Sequence, residues 1–352
     1  MAYTTIDDPT SFFNTILYTG DGNTSRSITG VGFQPDWLWI KRRDATEGHV
    51  LFDVVRSADA RLQSNNGNAE ADRPNIVYSF NSDGFSVSQS DIDNASNNNG
   101  GTYVAWNWKA GGSASSNSNG SITSSVSANT TAGFSIVSYT GNSTSGATVG
   151  HGLSSAPKFV IGKARNTSGE DWFTGNASNG FDKYIKLNDT HAAQTFSGVF
   201  NDTAPSSTVV TLGSNGIINS SSYNYIMYCF SEVKGYSKIG SYTGNGNTNG
   251  TFVYTGFRPA WILLKDYTSS SGYNWIILDN KRDPSNSLDR RLQPSTGFAE
   301  YTDVSDFCDF TSNGFKWRGS QANWNASGVG YIYLAFAESP FVNSNGIPTN
   351  AR

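Results

Sequence analysis

Gly32–Arg43 reads GFQPDWLWIKRR and Gly256–Tyr267 reads GFRPAWILLKDY, while a looser version, GLSSAPKFVIGKAR, runs from Gly152 to Arg165. In all three, a proline is followed two residues later by an aromatic and six residues later by a lysine. The triplets are Pro35/Trp37/Lys41, Pro157/Phe159/Lys163 and Pro259/Trp261/Lys265. Identical spacing three times in one chain marks an internal repeat, which decides the architecture before any single element does. The apolar centres WLWI, FVI and WILL do not alternate with polar residues, a pattern that suits a strand covered on both faces. The proline has no N–H to give a ladder and suits a strand entrance. The lysine is expected to end the burial by reaching back to water.

Outward from these stretches the repeat continues. Each unit opens on Tyr-Thr-Gly, at Tyr18, Tyr139 and Tyr242, and closes on a tyrosine with an aromatic five residues on: Tyr103/Trp108, Tyr225/Phe230 and Tyr331/Phe336. The first and third units also share RLQSNNGNAE (Arg61–Glu70) with RLQPSTGFAE (Arg291–Glu300), and FNSDGF with FTSNGF. The middle unit lacks the Arg-Leu-Gln element. Short runs such as HVLFDVV, NIVYSF and TYVAWNWK are rich in aromatic and β-branched residues and too short for most helices, so they read as strands. NSDG and TSNG between apolar runs read as hairpin turns. The expectation is an all-β chain of three tandem antiparallel β-sandwich repeats, jelly-roll-like, of about 100 residues each.

The expected boundaries are an N-terminal arm at 1–11, repeats at 12–110, 133–234 and 235–338, and a C-terminal arm at 339–352. Residues 111–132, GGSASSNSNGSITSSVSANTTA, read as a flexible Gly/Ser/Asn linker. On that reading the second and third repeats pack as a rigid pair, and the first is hinged or docked separately.

Composition narrows the function. The chain has 352 residues, 13% of them aromatic, and a net charge of −4. It is too aromatic and too weakly charged to be disordered. It also lacks the clustered positive charge that nucleic acid requires. No apolar run reaches the ~18–20 residues of a membrane span. The acidic start, MAYTTIDDPTSFFNTILY, does not resemble a secretory signal. Two cysteines, Cys229 and Cys308, exclude a disulfide framework and read as buried thiols.

Chemistry is sparse. His49, His151 and His191 are scattered without metal-ligand spacing, and no nucleophile elbow, phosphate loop or dinucleotide fingerprint occurs in context. No cofactor or metal is expected. Glu70 and Glu300 are the recurring carboxylates, as a glycosidase pair would require. Each, however, follows an arginine nine residues upstream, so Arg61–Glu70 and Arg291–Glu300 are expected as structural ion pairs. Asp53 with Arg56, and Asp279 with Arg282, read the same way. Asp91–Asn99 offers oxygen ligands but fails the calcium-loop template. One stretch, Ser312–Gly328, places Trp317, Arg318 and Trp324 among loop residues, a combination suited to stacking on sugars. Trp324, without apolar neighbours in sequence, is the stronger surface candidate, since Trp317 aligns with Val87 of the first unit.

The opening through DVVR, the SFNSDGFSV…GGTYVAWNWKAGG segment and the terminal FAESPFVNSNGIPTNAR resemble a family of marine bacteriophage virion proteins described as tail-fibre-like or structural. The resemblance spans essentially the whole chain, with the middle unit fitting least. It implies a particle component made in the host cytoplasm, with other virion proteins and further copies of itself as partners. Two roles follow from it. One is an appendage protein contacting host surface polysaccharide; the other is a purely architectural decoration, knob or adaptor subunit. A polysaccharide depolymerase is the weaker third, and the expectation is a protein that is not an enzyme.

Overall fold

The computed structural model describes residues 4–74, 76–89, 95–269, 272–302 and 308–340. The expected arms at 1–3 and 341–352 and the Asp91–Asn94 part of the polar loop lie outside the described residues. The fold is all-β, with every named ladder antiparallel, as the short aromatic and β-branched runs require.

The same sheet is built three times. In the first module Phe13–Thr19, Thr102–Trp108, Trp37–Arg42 and Val50–Asp53 lie side by side in that spatial order. In the second the order is Phe134–Thr140, Asn224–Phe230, Phe159–Ala164, Phe173–Asn176. In the third it is Ser237–Thr243, Gly330–Pro340, Phe257–Asp266, Ile276–Asp279. A smaller sheet covers one face of each. It comprises Arg26–Thr29, Gly84–Val87 and Val77–Asn81 in the first module, and Phe252–Tyr254, Gly314–Trp317 and Cys308–Thr311 in the third. In the second module only Thr148–Gly150 and Val209–Thr211 form it, beside two four-residue helices.

The NSDG and TSNG turns close hairpins as read, with Asn81 opposite Gly84 and Thr311 opposite Gly314. A Cβ at either glycine would lie 2.0 Å from the Ile28 carbonyl oxygen or 2.1 Å from that of Val253, so only glycine fits. Pro35 and Pro157 precede their strands, and Pro259 sits in a register shift where the ladder needs no N–H.

The non-alternating strands are covered on both faces, but not by their own module alone. Leu38 and Ile40 face the first module's sandwich core; Trp37 and Trp39 face the other way. The same division separates Val160 from Phe159 and Ile161, and Ile262 and Leu264 from Trp261 and Leu263. The second faces of all three sheets meet in one shared core. There Trp37 stacks on Tyr228 of the second module with ring centroids 4.3 Å apart, and Trp108 meets Trp261 of the third edge-on at 5.5 Å. The closing aromatics come together, Phe336 lying 5.8 Å from Trp108 and 6.0 Å from Phe230. Aromatic pairs in such geometry contribute ~0.5–1.5 kcal/mol each beyond burial. Three interiors closed separately, as tandem sandwiches imply, are therefore only half the packing.

Two further expectations are corrected. Residues 111–132 are not a flexible linker: Ser115–Asn117 and Ser124–Asn129 add strands to the edge of the second module's sheet, with Val126 buried beneath. The first module is not hinged, because its shared-core face packs on both others. Even the start of the chain is engaged, with Ile6 buried in the shared core and Pro9–Ser11 forming a 3₁₀ turn capped by Asp8.

Candidate functional site

The repeated charged residues converge on the joints between modules. Glu70 does not pair with Arg61. It accepts from Arg56 of its own module at 3.0 Å and bidentately from Arg165 of the second, at 2.8 and 2.9 Å. Glu300 accepts from Arg282 at 3.0 Å and bidentately from Arg43 of the first module at 2.8 and 3.0 Å, not from Arg291. Arg291 lies instead over the rings of Tyr301 and Trp324, 5.2 Å from each. The expected Asp53–Arg56 and Asp279–Arg282 pairs form, fully buried. Each aspartate also accepts from the next module round: Tyr228 Oη donates to Asp53 at 2.7 Å, and Trp106 Nε1 to Asp279 at 3.0 Å.

The joints run in a circle. The amide of Glu70 donates to the Arg165 carbonyl and that of Glu300 to the Arg43 carbonyl, both at 2.7 Å; that of Ala193 donates to the Tyr267 carbonyl at 3.0 Å. The first module therefore clasps the second, the second the third, and the third the first. Ala193 and Tyr267 stand where the other joints have Glu and Arg, which explains why the middle unit lacks the Arg-Leu-Gln…Glu element. Trp172 Nε1 donates to the Gln63 carbonyl and Trp275 Nε1 to that of Lys186, each at 2.8 Å, while His49 faces the Gln293 backbone in the matching place without reaching hydrogen-bond geometry.

Burial pushes both glutamates up, but the arginine hydrogen bonds and charges outweigh it and hold Glu70 and Glu300 below the ordinary carboxylate range. Such ionised, doubly clamped carboxylates are unsuited to donating a proton. His49 is fully buried, accepts from Trp39 Nε1 at 2.9 Å, and is held well below its usual pKa by burial and by the Lys41 and Arg282 charges. His151 is buried against Ser206 and Leu153, and His191 is exposed beside Asp189 at 2.7 Å. Cys229 and Cys308 are buried free thiols in different modules. Among the described residues no group of three His, Cys, Asp or Glu could hold a metal ion.

The three repeat lysines do not reach water. Lys41, Lys163 and Lys265 are at most 1% exposed, and their ammonium groups donate to backbone carbonyls. Lys163 binds Ala164 at 2.9 Å and Gly67 of the first module at 3.3 Å; Lys265 binds Thr190 of the second at 2.8 Å, and Lys41 binds Ala45 at 3.2 Å. Desolvation lowers each pKa from 10.5 to about 8, against the raising influence of nearby carboxylates. Lys163 and Lys265 are joint residues and Lys41 ties down the loop after its own strand; none of the three is a stop signal.

The surface candidates fare similarly. Trp324 is 3% exposed and stacks on the buried Trp317 at 5.9 Å, so neither indole presents a face to a sugar. Arg318 is spent on Asp309 at 2.6 Å. Sequence reading also missed a residue whose signal was present: an asparagine six residues before each closing tyrosine. Asn97, Asn219 and Asn325 are all buried, and their amides tie down the Gly-rich opening loops, as when Asn325 donates to Asn245 and Asn247 at 3.0 Å. The opening and closing tyrosines stack across the strands at 5.0–5.1 Å in every module.

A cleft of about 390 Å³ is lined by Arg56, Asp59, Glu70 and Asp72 of the first module, and another of about 500 Å³ lies open where the second module joins the third. Lys158, placed by the Pro157 turn, comes from the second module; Glu232 and Lys234 from the connection; Lys238 and Tyr254 from the third. Glu232 is clamped between Lys158 and Lys238. Tyr254 is 56% exposed at the end of an edge strand.

The family described as a domain of unknown function, DUF7483, matches residues 8–340. The chain belongs to that family. The DUF7483 match takes in all three modules and their joints. No curated protein matches the chain.

Proposed function

We propose that the protein is a structural subunit of a bacteriophage particle, of the appendage kind, and not an enzyme. The observation that carries this is the use of the repeated charged residues. Asp53, Arg56, Glu70, Lys163, Asp279, Arg282 and Glu300 are consumed in holding modules to one another or to their own loops, leaving them unavailable for chemistry. A chain that invests its titratable groups in joints is built to be rigid. The resemblance to marine bacteriophage virion proteins supports the same reading and supplies its setting, with other virion proteins as partners.

The alternative, a purely architectural head-decoration, knob or adaptor subunit, is favoured by one observation: the joints run cyclically, giving a single chain a pseudo-threefold arrangement of the kind that would suit a threefold position in an assembly. Antibody raised against the recombinant protein tests the proposal. It is expected to label purified particles at the tail; labelling confined to the head favours the adaptor role, and a protein absent from purified particles overturns both. Release of reducing ends from host polysaccharide by the pure protein would overturn the non-enzymatic reading.

A further inference from the structure

In the second module one segment closes the side of the sandwich. Ser115–Asn117 and Ser124–Asn129 add strands beside Phe134–Thr140. The stretch between them lies along the small sheet, with Ile122 bridged to Val149 and its amide donating to the Thr148 carbonyl at 2.9 Å. Side chains of this segment fill the angle between the two sheets. A Cβ at Gly152 would lie 2.9 Å from Val126 and 3.1 Å from Ala128, and one at Gly150 would lie 2.0 Å from Asn117. The third module repeats that angle. Phe134 and Ser237 open their strands in one register, opposite Phe230 and Phe336, and the amides of His151 and Thr255 donate to the Thr208 and Asn313 carbonyls at matching turns. Gly256 therefore corresponds to Gly152. The cleft of about 500 Å³ lined by Ser237, Lys238, Tyr254 and Gly256 lies where the second module has Val126 and Ala128. Among the described residues no strand pairs with the outer edge of Ser237–Thr243. Gly244 donates to Val329 on the inner side, so the alternate amides of Ile239 and Ser241 turn to that outer edge. Their counterparts, Ile136 and Ser138, face Ser127 and Ser125 of the added strand.

We infer that this cleft is the seat of the chain's own segment 341–352, which closes the third module as residues 115–129 close the second. Gly330–Pro340 delivers the chain to it. Pro340 pairs with Phe257, the residue after Gly256, and Ala337 donates to the Tyr236 carbonyl just before Ser237. The next twelve residues read FVNSNGIPTNAR, and their Asn345-Gly346-Ile347 resembles the Asn119-Gly120-Ser121-Ile122 that crosses the second module's small sheet. Twelve extended residues span ~40 Å, well beyond the ~13 Å from Ser237 to Ser241. Polypeptide is the fitting occupant, because main-chain hydrogen bonds to a sheet edge hold a strand whatever its side chains. Lys158 and Lys238 are spent on Glu232 and select no anion.

The test is amide exchange followed by NMR on the full chain. Ile239 and Ser241 are expected to exchange within about tenfold of Ile136 and Ser138. Two full-chain variants are expected to speed Ile239 and Ser241 at least tenfold while leaving Ile136 and Ser138 unchanged. Ala156→Trp fills the cleft from an exposed position on its wall, and Val342→Asp/Ile347→Asp alters only the segment. Exchange at Ile239 and Ser241 as fast as in an unfolded peptide overturns the inference. Slow exchange that Ala156→Trp speeds and the double variant does not overturns the segment as occupant. Slow exchange untouched by either variant overturns the cleft as the seat. Sedimentation separates one chain from two: a parent dimer that Ala156→Trp dissociates would put the segment in a neighbouring copy's cleft and overturn the assignment to its own chain.

Discussion

Replacing Lys163 with methionine separates the cost of burying a charge from the value of the joint it serves. In the fold Lys163 is fully buried and its pKa falls from 10.5 to about 8, mainly through desolvation. Between those two values the unfolded chain binds more protons at this site than the folded one, so stability rises with pH across the window. A shift of that size is worth about 3.4 kcal/mol in total, at 1.36 kcal/mol per unit. From pH 7.5 to pH 9.5 the lysine should add about 2 kcal/mol to the stability of the parent. Lys163→Met lacks this group, while the buried tyrosines and thiols titrate equally in both proteins and cancel. The methionine variant should therefore compare best with the parent at pH 7.5 and lose about 2 kcal/mol of its relative standing by pH 9.5. Whatever the methionine costs through the Ala164 and Gly67 carbonyls it leaves unpaired is the same at both pH values. Urea unfolding of both proteins at pH 7.5, 8.5 and 9.5 provides the assay. A stability difference that stays flat within about 0.5 kcal/mol would refute the assignment of Lys163 as a buried charge.

Glu300→Ala is expected to lower the unfolding free energy measured in urea by about 3 kcal/mol, since it strands Arg43 in a mostly buried joint. The double variant Arg43→Met/Glu300→Met should recover most of that loss, and an equal loss in both would show that shape alone closes the joint. Cys229 and Cys308 are buried, with burial raising both thiols above their usual pKa. They should be silent to a thiol reagent in the native protein and react as two thiols per chain in urea; rapid native labelling would place one of them at the surface.

Much of the fold was legible because its signals are local. Pro35, Pro157 and Pro259, the hairpins at Gly84 and Gly314, and the unalternating runs after each proline announced strands, their limits and their coverage on both faces. The identity of the covering layer was not legible. Trp37 and Trp39 state that something apolar lies opposite, but only the tertiary structure says that Trp37 meets Phe134, Tyr228 and Phe230 of the second module. The same gap misplaced Trp324, which has polar neighbours in sequence and is covered by Trp317 and Arg291 from a distance. Glu70 and Glu300 were rightly read as arginine-bound, with the wrong arginines, because Arg165 and Arg43 belong to neighbouring modules. The lysines held a usable clue. A side chain needed only to reach water could have varied, and the same residue three times at one spacing implied a specific use. Asn97, Asn219 and Asn325 carried an equally clear spacing to the closing tyrosines.

If three modules share one interior, none of them is stable without the others, and the molecule should melt as one cooperative unit. Scanning calorimetry measures this directly by comparing the calorimetric and van't Hoff enthalpies of unfolding. The shared core predicts a single transition with a ratio near one. Two or three resolved transitions, each carrying a module's share of the enthalpy, would mean independent sandwiches joined end to end.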